Sequence, residues 1–491
     1  MAISIYTVYM KATTPFLPHL SGLLLGRPPR SARDRLRQDA QELQRASLGK
    51  LTGLFGEYIP TRLLEPTSQG EGSRQRLFST RTTFWAFLAQ VLTPQGSCRE
   101  ALRKLQAWQA ACGSLNPTSG TSAYCQARRR LSEDMLRNIH QRVATEVDRR
   151  LLGTEEFGRP VKVVDGTSAS MPDTPENQKI WPQTRAQTPG CGFPFVRLVG
   201  LFHLANGVLI DWTEGSKHDH DAKLFPLLWK HLRQGDLLVA DRGFCSYASM
   251  AALFTQGVDT VMRKHQAMKL TFRSGKRLDP RDRLICLNKP LRPQTGWTKS
   301  QWKKLPDTLM VRMVEIETHQ PGFRVQRYVL LTTLTDPEIW PVERLGRLYF
   351  KRWSVELFFR DVKISMGMDV LRCKDPGMVR KELLMHAIAY NCIRGVMQRA
   401  AATYEAPLDR MSFKGTIDTM RQWADAIHIH HDKPRKQAQM IETLLGVIAE
   451  DLVPLRPDRV EPRAKKRRPK GYQLLNEPRH QMKVSPSRRC K

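Results

Sequence analysis

The chain has 491 residues, 41% of them apolar and ten of them tryptophan, enough for roughly two to four domains and at least one large core. Its 79 Lys and Arg against 47 Asp and Glu leave a formal net charge of +32, more than solubility needs, so a polyanionic partner is expected, nucleic acid ahead of an anionic membrane surface. No run of about 18 apolar residues occurs, which argues against a helical membrane span. Nine dispersed cysteines without a C-x-x-C pair argue against a zinc ribbon and for reduced thiols in a cytoplasmic protein.

In chain order, the N-terminal segment MAISIYTVYMKATTPFLPHLSGLLLGRPPR is mildly apolar but broken by Lys11, Pro15 and Pro18, and it does not read as a signal peptide. Residues 1–150 alternate helical patterns with polar breaks and are expected to form a basic, helical, DNA-binding region. Within it, TSAYCQARRRLSEDMLRNIHQRV (121–143) has a cap-like Thr121 or Ser122 and a basic first half, with Leu131, Met135, Ile139 and Val143 recurring every four residues. Such a helix suits docking on DNA; a basic surface helix of a bundle is the plainer alternative.

The pattern changes near residue 160. KVVDGTS (162–168) is a short apolar run ending in Asp165 and a turn. FVRLVGLFHL (195–204) and GVLIDWTEG (207–215) read as strands joined at Asn206-Gly207, a strong hairpin signal. A helix carrying Pro226 follows at about 219–232, then the strand GDLLVADRGF (235–244) with Asp241 at its end, then a helix from Ser246 to about Gln256. This order predicts a mixed α/β, ribonuclease H-like fold rather than a doubly wound nucleotide fold. The expected catalytic core spans residues 155–264 and 336–400. A β-rich insertion at 265–335 interrupts it, with strand-like TLMVRMVEIET (308–318) and RYVLLTTL (327–334). Trp297 and Trp302 in that insertion belong either to its core or to a stack on a flipped base. A long helix is expected from about Pro337 to Ser365 and another over 379–401. A helical C-terminal region at 401–460 and a basic tail at 461–491, expected to be disordered, complete the chain.

In LYFKRWSVELFFRDVKISMG (348–367), Tyr349, Arg352, Glu356 and Lys363 stand at offsets of 0, 3, 7 and 14. On a helical wheel these project to roughly 0°, −60°, −20° and −40°, one narrow stripe. Leu348, Phe350, Val355, Leu357, Phe358 and Val362 take the opposite side and are expected to face a core. Three acids then stand out: Asp165 and Asp241 at strand ends, and Glu356 within the stripe. Carboxylates at the ends of neighbouring buried strands repel one another unless a cation neutralises them. Hard oxygen ligands suit Mg²⁺ or Mn²⁺, and a pair of such ions about 3.5–4 Å apart serves phosphodiester displacement. Singly, a strand-end Asp is usually a turn residue. Glu356 between Arg352 and Arg360 also fits an ordinary salt-bridged helix face.

The spacing Y-(2)-R-(3)-E-(6)-K at Tyr349, Arg352, Glu356 and Lys363 resembles the signature of the DDE transposases of bacterial insertion sequences, of the family-four type. VVDGT around Asp165, ADRGF around Asp241, SAYCQARRRL near residue 125 and GMDVLRCKDPGMVRKELLMHAIAYNCIR (367–394) extend the resemblance over about residues 80–400. It implies a ribonuclease H-like core in which Asp165, Asp241 and Glu356 are catalytic and hold two Mg²⁺ ions, with Mn²⁺ able to substitute. It also implies that Tyr349, Arg352 and Lys363 contact transposon-end DNA near the scissile phosphate. The implied partners are double-stranded DNA, as terminal inverted repeats and target, and a second copy of the chain in a synaptic homodimer. The family's cut-and-paste members hydrolyse one strand at each end. The best-understood of them then form and resolve a hairpin before joining the end to target DNA; that route reaches this chain through the resemblance alone. Two rivals stand beside it: a DNA-binding protein that has lost catalysis, and a ribonuclease H-like nuclease without strand transfer.

Two histidine-bearing stretches are discounted as metal sites. SKHDHDAKLF (216–225) is expected to cap a helix start, because residues two apart face different sides of a helix. IHIHHDK (427–433) reads as surface or DNA-facing.

Overall fold

The computed structural model describes residues 54–64, 78–93, 96–103, 120–151, 157–294, 296–318, 326–429, 433–455 and 474–482. Much of the expected N-terminal region, most of the basic tail and residues 430–432 of the histidine-rich stretch lie outside the described residues. The chain divides into two compact units: Met1–Arg149 with Ser365–Gly367 and Lys381–Val453, and Arg150–Ile364 with Met368–Arg380 and Pro454–Lys491. No helix among the described residues is long and apolar enough to cross a membrane.

The first unit is helical where it is described. Helix Thr80–Leu92 starts at Ser79, whose Oγ accepts from the Thr82 N–H at 3.2 Å. The expected single helix over 121–143 is two, Ser122–Arg130 and Glu133–Arg149, parted at Leu131 and Ser132. The buried face of the second consists of Leu136, Ile139, His140, Val143, Ala144 and Val147, so Met135 is not on it. The basic first half is split as well. Arg128 is buried, its guanidinium 4.8 Å from the Phe87 ring and 5.2 Å from the Tyr124 ring, while Arg129 and Arg130 stay exposed.

The second unit holds one mixed sheet. Its strands are β1 (Val161–Ser170), β2 (Phe195–His203), β3 (Leu209–Gly215), β4 (Leu237–Ala240), β5 (Asp259–Arg263), β6 (Lys276–Asp279), β7 (Asp282–Asn288), β8 (Thr308–Thr318) and β9 (Gln326–Thr332), in the order β3-β2-β1-β4-β5-β9-β8-β7-β6. β1, β2 and β3 form an antiparallel meander, and β4 and β5 join β1 in parallel: the ribonuclease H-like arrangement. The Asn206-Gly207 hairpin forms as expected, with Gly207 at φ 69° and the Asn206 Oδ1 accepting from the Val208 N–H at 3.1 Å. β4 is apolar and fully buried because it runs between two other strands.

The 265–335 stretch is not a separate layer. β9 pairs antiparallel with β5, Val261 opposite Thr332, so the inserted strands lengthen the same sheet. Ile285, Leu287, Trp302, Leu309, Val311 and Met313 join Val164, Leu201, Phe225 and Leu238 in one core. Both insertion tryptophans serve that core. The Trp302 indole is buried and donates to the Pro290 carbonyl at 3.2 Å, and Trp297 lies between Trp302 and Trp229.

The helix expected over 379–401 runs further, from Pro376 to Tyr404, while two other expected helices are shorter than the sequence suggests. The 219–232 segment is a turn of α-helix, Asp221–Leu224, continuing as a 3₁₀ run Phe225–His231 at Pro226, whose missing N–H ends the α-helical ladder. The helix expected over 337–365 is broken as well: Val342–Lys351, then Ser354–Arg360, then a π-turn Asp361–Ser365.

Candidate active site

The sheet brings three charged residues to one level. β1 and β4 run parallel with Val164 beside Ala240, so the next residues are Asp165 and Asp241. β4 and β5 are parallel with Ala240 beside Met262, so Arg263 follows at the same level. Contrary to the expectation from the sequence, Asp165 does not end its strand. β1 runs on to Ser170 paired with β2, and what stops at Asp165 is the pairing with β4. The carboxyl ends of parallel strands are the usual place for a site, because the chain there turns away and leaves the edge open.

The broken helix covers this edge. Gly200 lies opposite Asp165 on β2, and a Cβ there would stand 2.9 Å from the Phe359 ring, so only glycine lets the Ser354–Arg360 helix settle on the strand. Val355, Phe358 and Phe359 anchor that helix from below. The break at Arg352 is tightened by backbone bonds from Arg352 to the Tyr349 carbonyl and from Val355 to the Arg352 carbonyl, both 3.0 Å.

That break changes the expected stripe. Tyr349 and Arg352 do not face solvent; they are 1% and 6% exposed and turn toward the acids. The Tyr349 hydroxyl donates to the Asp241 Oδ1 at 3.3 Å. Arg352 reaches the Asp165 Oδ2 at 3.4 Å through Nη1 and the Glu356 Oε1 at 3.3 Å through Nη2. Glu356 remains exposed, and Leu357, expected in the core, is 48% exposed. Lys363 sits half-buried in the π-turn, where its carbonyl accepts from the Asp369 N–H at 3.3 Å. The Asp369 carbonyl in turn accepts from the Ser170 N–H at 2.9 Å, tying the lysine-bearing turn to the far end of β1.

The ordinary Arg352–Glu356 pair is therefore present, but the same guanidinium also binds an aspartate 187 residues away in sequence. Burial raises the Asp165 carboxyl above its usual value, and the charges of Asp241 and Glu356 add to that against the Gly166 N–H and Arg352. Burial works against the Arg352 charge, yet Tyr349 and the carboxylates of Asp241, Asp165 and Glu356 together hold its proton more tightly than usual. Burial, then Asp241, pushes the Tyr349 phenol well above the ordinary value, so it remains a donor. Sequence reasoning missed Arg263, which acts electrostatically on Tyr349 and lies 4.7 Å over the Tyr328 ring. Its signal was a buried strand, DTVMR, ending in a charge like its two neighbours.

Among the described residues no three His, Cys, Asp or Glu side chains stand together as a ready metal cage. The acids gather around Arg352 instead. The donor set nevertheless fits hard divalent cations: three carboxylates lie close enough to act on one another and on Arg352, and their mutual repulsion and burial hold the Asp165 carboxyl above its usual protonation range. The discounted stretch at 216–225 behaves as a brace. The Asp219 Oδ2 accepts from the Ser216 N–H at 2.8 Å, and its Oδ1 from the Lys223 Nζ at 2.6 Å.

Residues 156–392 match the family described as Transposase DDE domain, and residues 45–141 match Insertion element 4 transposase N-terminal. The chain is 24% identical over 435 residues, 86% of its length and 93% of the relative's, to "Transposase InsG for insertion sequence element IS4" of Escherichia coli (strain K12). A solved structure, "Cryo-EM structure of piggyBac transposase synaptic complex with hairpin DNA", aligns over 86% of this chain and 87% of its own at 8% identity, with a TM-score of 0.41.

Proposed function

From the premise that this chain belongs to the insertion element 4 type of DDE transposases, we propose that Asp165, Asp241 and Glu356 are its catalytic, metal-binding carboxylates, and that Tyr349, Arg352 and Lys363 contact DNA beside the cut phosphate. The observation that carries this reading is the convergence of all three acids on one buried guanidinium at the shared edge of β1 and β4. Two Mg²⁺ ions, with Mn²⁺ able to substitute, would be held by these carboxylates and would activate the attacking oxygen and stabilise the leaving one.

The chain's own groups do the rest. Arg352 steadies the acids while no DNA is present and offers a planar fork that matches two phosphate oxygens. Tyr349, kept protonated, donates a hydrogen bond from beside Asp241. Lys363 supplies a point charge from the turn fastened to β1. The substrates in this reading are the terminal inverted repeats and the target duplex, with two copies of the chain holding two ends together. Hydrolysis at each end precedes strand transfer.

Purified protein should cut its end DNA in the presence of Mg²⁺ and join the released 3′ end to a target duplex. Asp165→Asn, Asp241→Asn and Glu356→Gln should each bind that DNA without cutting it. Full cleavage by Glu356→Gln would remove that residue from the site. Tight binding by the metal-supplemented wild type without cutting of any sequence offered would instead identify a DNA-binding protein that has lost catalysis. Cutting without joined product would identify a nuclease.

A further inference from the structure

Between the helix Pro175–Ile180 and β2 the chain forms a loop, residues 181–194, that none of the chemistry above uses. It is braced from within. The Gln183 Oε1 accepts from the N–H groups of Gly190 and Gly192, both at 3.1 Å, and its Nε2 donates to the carbonyls of Gln187 at 3.1 Å and Thr188 at 2.9 Å. Gln178 adds a second tie, accepting from the Gln183 N–H at 2.9 Å and donating to the Gly192 carbonyl at 3.1 Å. A loop held this closely keeps one shape, yet it leaves the Phe193 ring 66% exposed. The ring therefore offers its apolar face to a partner from a braced loop.

Charge says which partner. From Asn177 through Ile210 there is no Asp or Glu, while Lys179, Arg185 and Arg197 fall within that span. Lys179 and Arg185 are exposed. Arg197 is paired with Asp221 at 3.5 Å, so the exposed cations beside the ring are Lys179 and Arg185, and an aromatic next to them suits a nucleic acid better than an apolar protein face.

Position says which part of the substrate. β1 and β2 stay in register from Lys162 opposite His203 to Ser170 opposite Phe195. The loop therefore lies past Ser170, on the same side of the sheet as the carboxyl ends that carry Asp165 and Asp241. The strand from Asp165 to Ser170, at about 3.4 Å per residue, sets it about 17–20 Å from the acids. Successive nucleotides of a duplex strand advance about 3.4 Å, so a duplex lying along β1 passes the loop within about six base pairs of the cut.

We propose that the 181–194 loop is a second contact for the transposon-end duplex, with Phe193 packing as an apolar wedge against a base step and Arg185 on a nearby phosphate. This deepens, and rests on, the assignment of Asp165, Asp241 and Glu356 as the cutting centre. The loop fixes how the duplex lies across those acids, and it leaves the chemistry to them.

The test uses the full chain and an end duplex. Phe193→Ala should weaken binding about tenfold and remove protection centred about six base pairs from the cut while protection at the cut persists. Phe193→Trp should restore both. Arg185→Ala should lower the salt slope of binding by about one. Unchanged affinity and footprint in Phe193→Ala would overturn the proposal. So would a variant that cuts normally and fails only in joining, which would assign the loop to target DNA, or one that changes only the self-association of the chain. A Glu356→Gln protein that still cuts would sink the cutting-centre reading instead, and its footprint at the loop would be unaffected.

Discussion

Two arginines in the same unit hold carboxylates, and they hold them differently. Arg312 on β8 meets Asp282 on β7 face to face: its Nε donates to the Asp282 Oδ1 at 2.9 Å, its Nη2 binds Oδ2, and its Nη1 donates to the Trp340 carbonyl at 2.6 Å. The two side chains are 1% and 4% exposed. Arg352 instead spreads over Asp165 and Glu356 at 3.4 and 3.3 Å, with its Nε lacking any partner. A closed, bidentate pair whose Nη1 is also held by carbonyls is a joint, here between the inserted strands and the turn before helix Val342–Lys351. An open, shared, long pair leaves a donor over, which is what the proposed DNA contact of Arg352 requires. Burial does not separate the two arginines; completeness of pairing does.

The largest effect that would sharpen this contrast lies on the open side. Asp165→Asn, Asp241→Asn or Glu356→Gln should lower single-turnover cleavage about a thousandfold or more, with folding intact by circular dichroism. On the closed side, Arg312→Ala should strand Asp282 in the core and cost about 3–5 kcal/mol, read as a lower urea midpoint at unchanged slope. Arg352→Gln should cost about 1 kcal/mol in chelator, and millimolar Mn²⁺ should recover it in a thermal melt. Should Arg352→Gln prove as damaging to folding as Arg312→Ala, and insensitive to Mn²⁺, the two arginines would belong to one class and the contrast would break.

The same contrast explains what the sequence could reveal. As candidates, Asp165 and Asp241 were legible because each follows an apolar run of a buried strand, and Glu356 because its spacing to Tyr349, Arg352 and Lys363 resembles a signature. The hairpin at Asn206-Gly207 was legible because its turn chemistry is local. The inward turn of Tyr349 and Arg352 was not. A wheel drawn on an unbroken helix cannot show a break that brings Arg352 to a carboxylate on β1. Arg312 was hidden for a related reason: in TLMVRMVEIET it reads as an ordinary charge on a strand, and only Asp282, thirty residues upstream, makes its burial tolerable. The continuity of the insertion with the sheet rests on pairing between β5 and β9, which no local pattern encodes.

The smallest effect concerns an exposed pair, and it marks the lower end of the scale on which the two arginines sit. Asp219 is lowered from 3.8 to about 2, first by its hydrogen bond to Lys223 and then by the Ser216 N–H and hydroxyl, against a small burial cost. A carboxyl whose folded value lies below its unfolded one stabilises the fold only where it is ionised. Its contribution is complete above about pH 4 and fades as the pH falls toward 2. Lys223 is 62% exposed, so water and salt screen the pair and the gain stays well under that of the Arg312 joint. Asp219→Asn should therefore lower the melting temperature slightly at pH 6, less at pH 3, and least near pH 2, with the gap narrowing as salt is added. A gap undiminished at pH 2 would mean that the loop is held by the shape of the side chain at 219 and not by its charge. Exposed pairs in this chain would then have to be judged, like the two arginines, by how many partners each group satisfies.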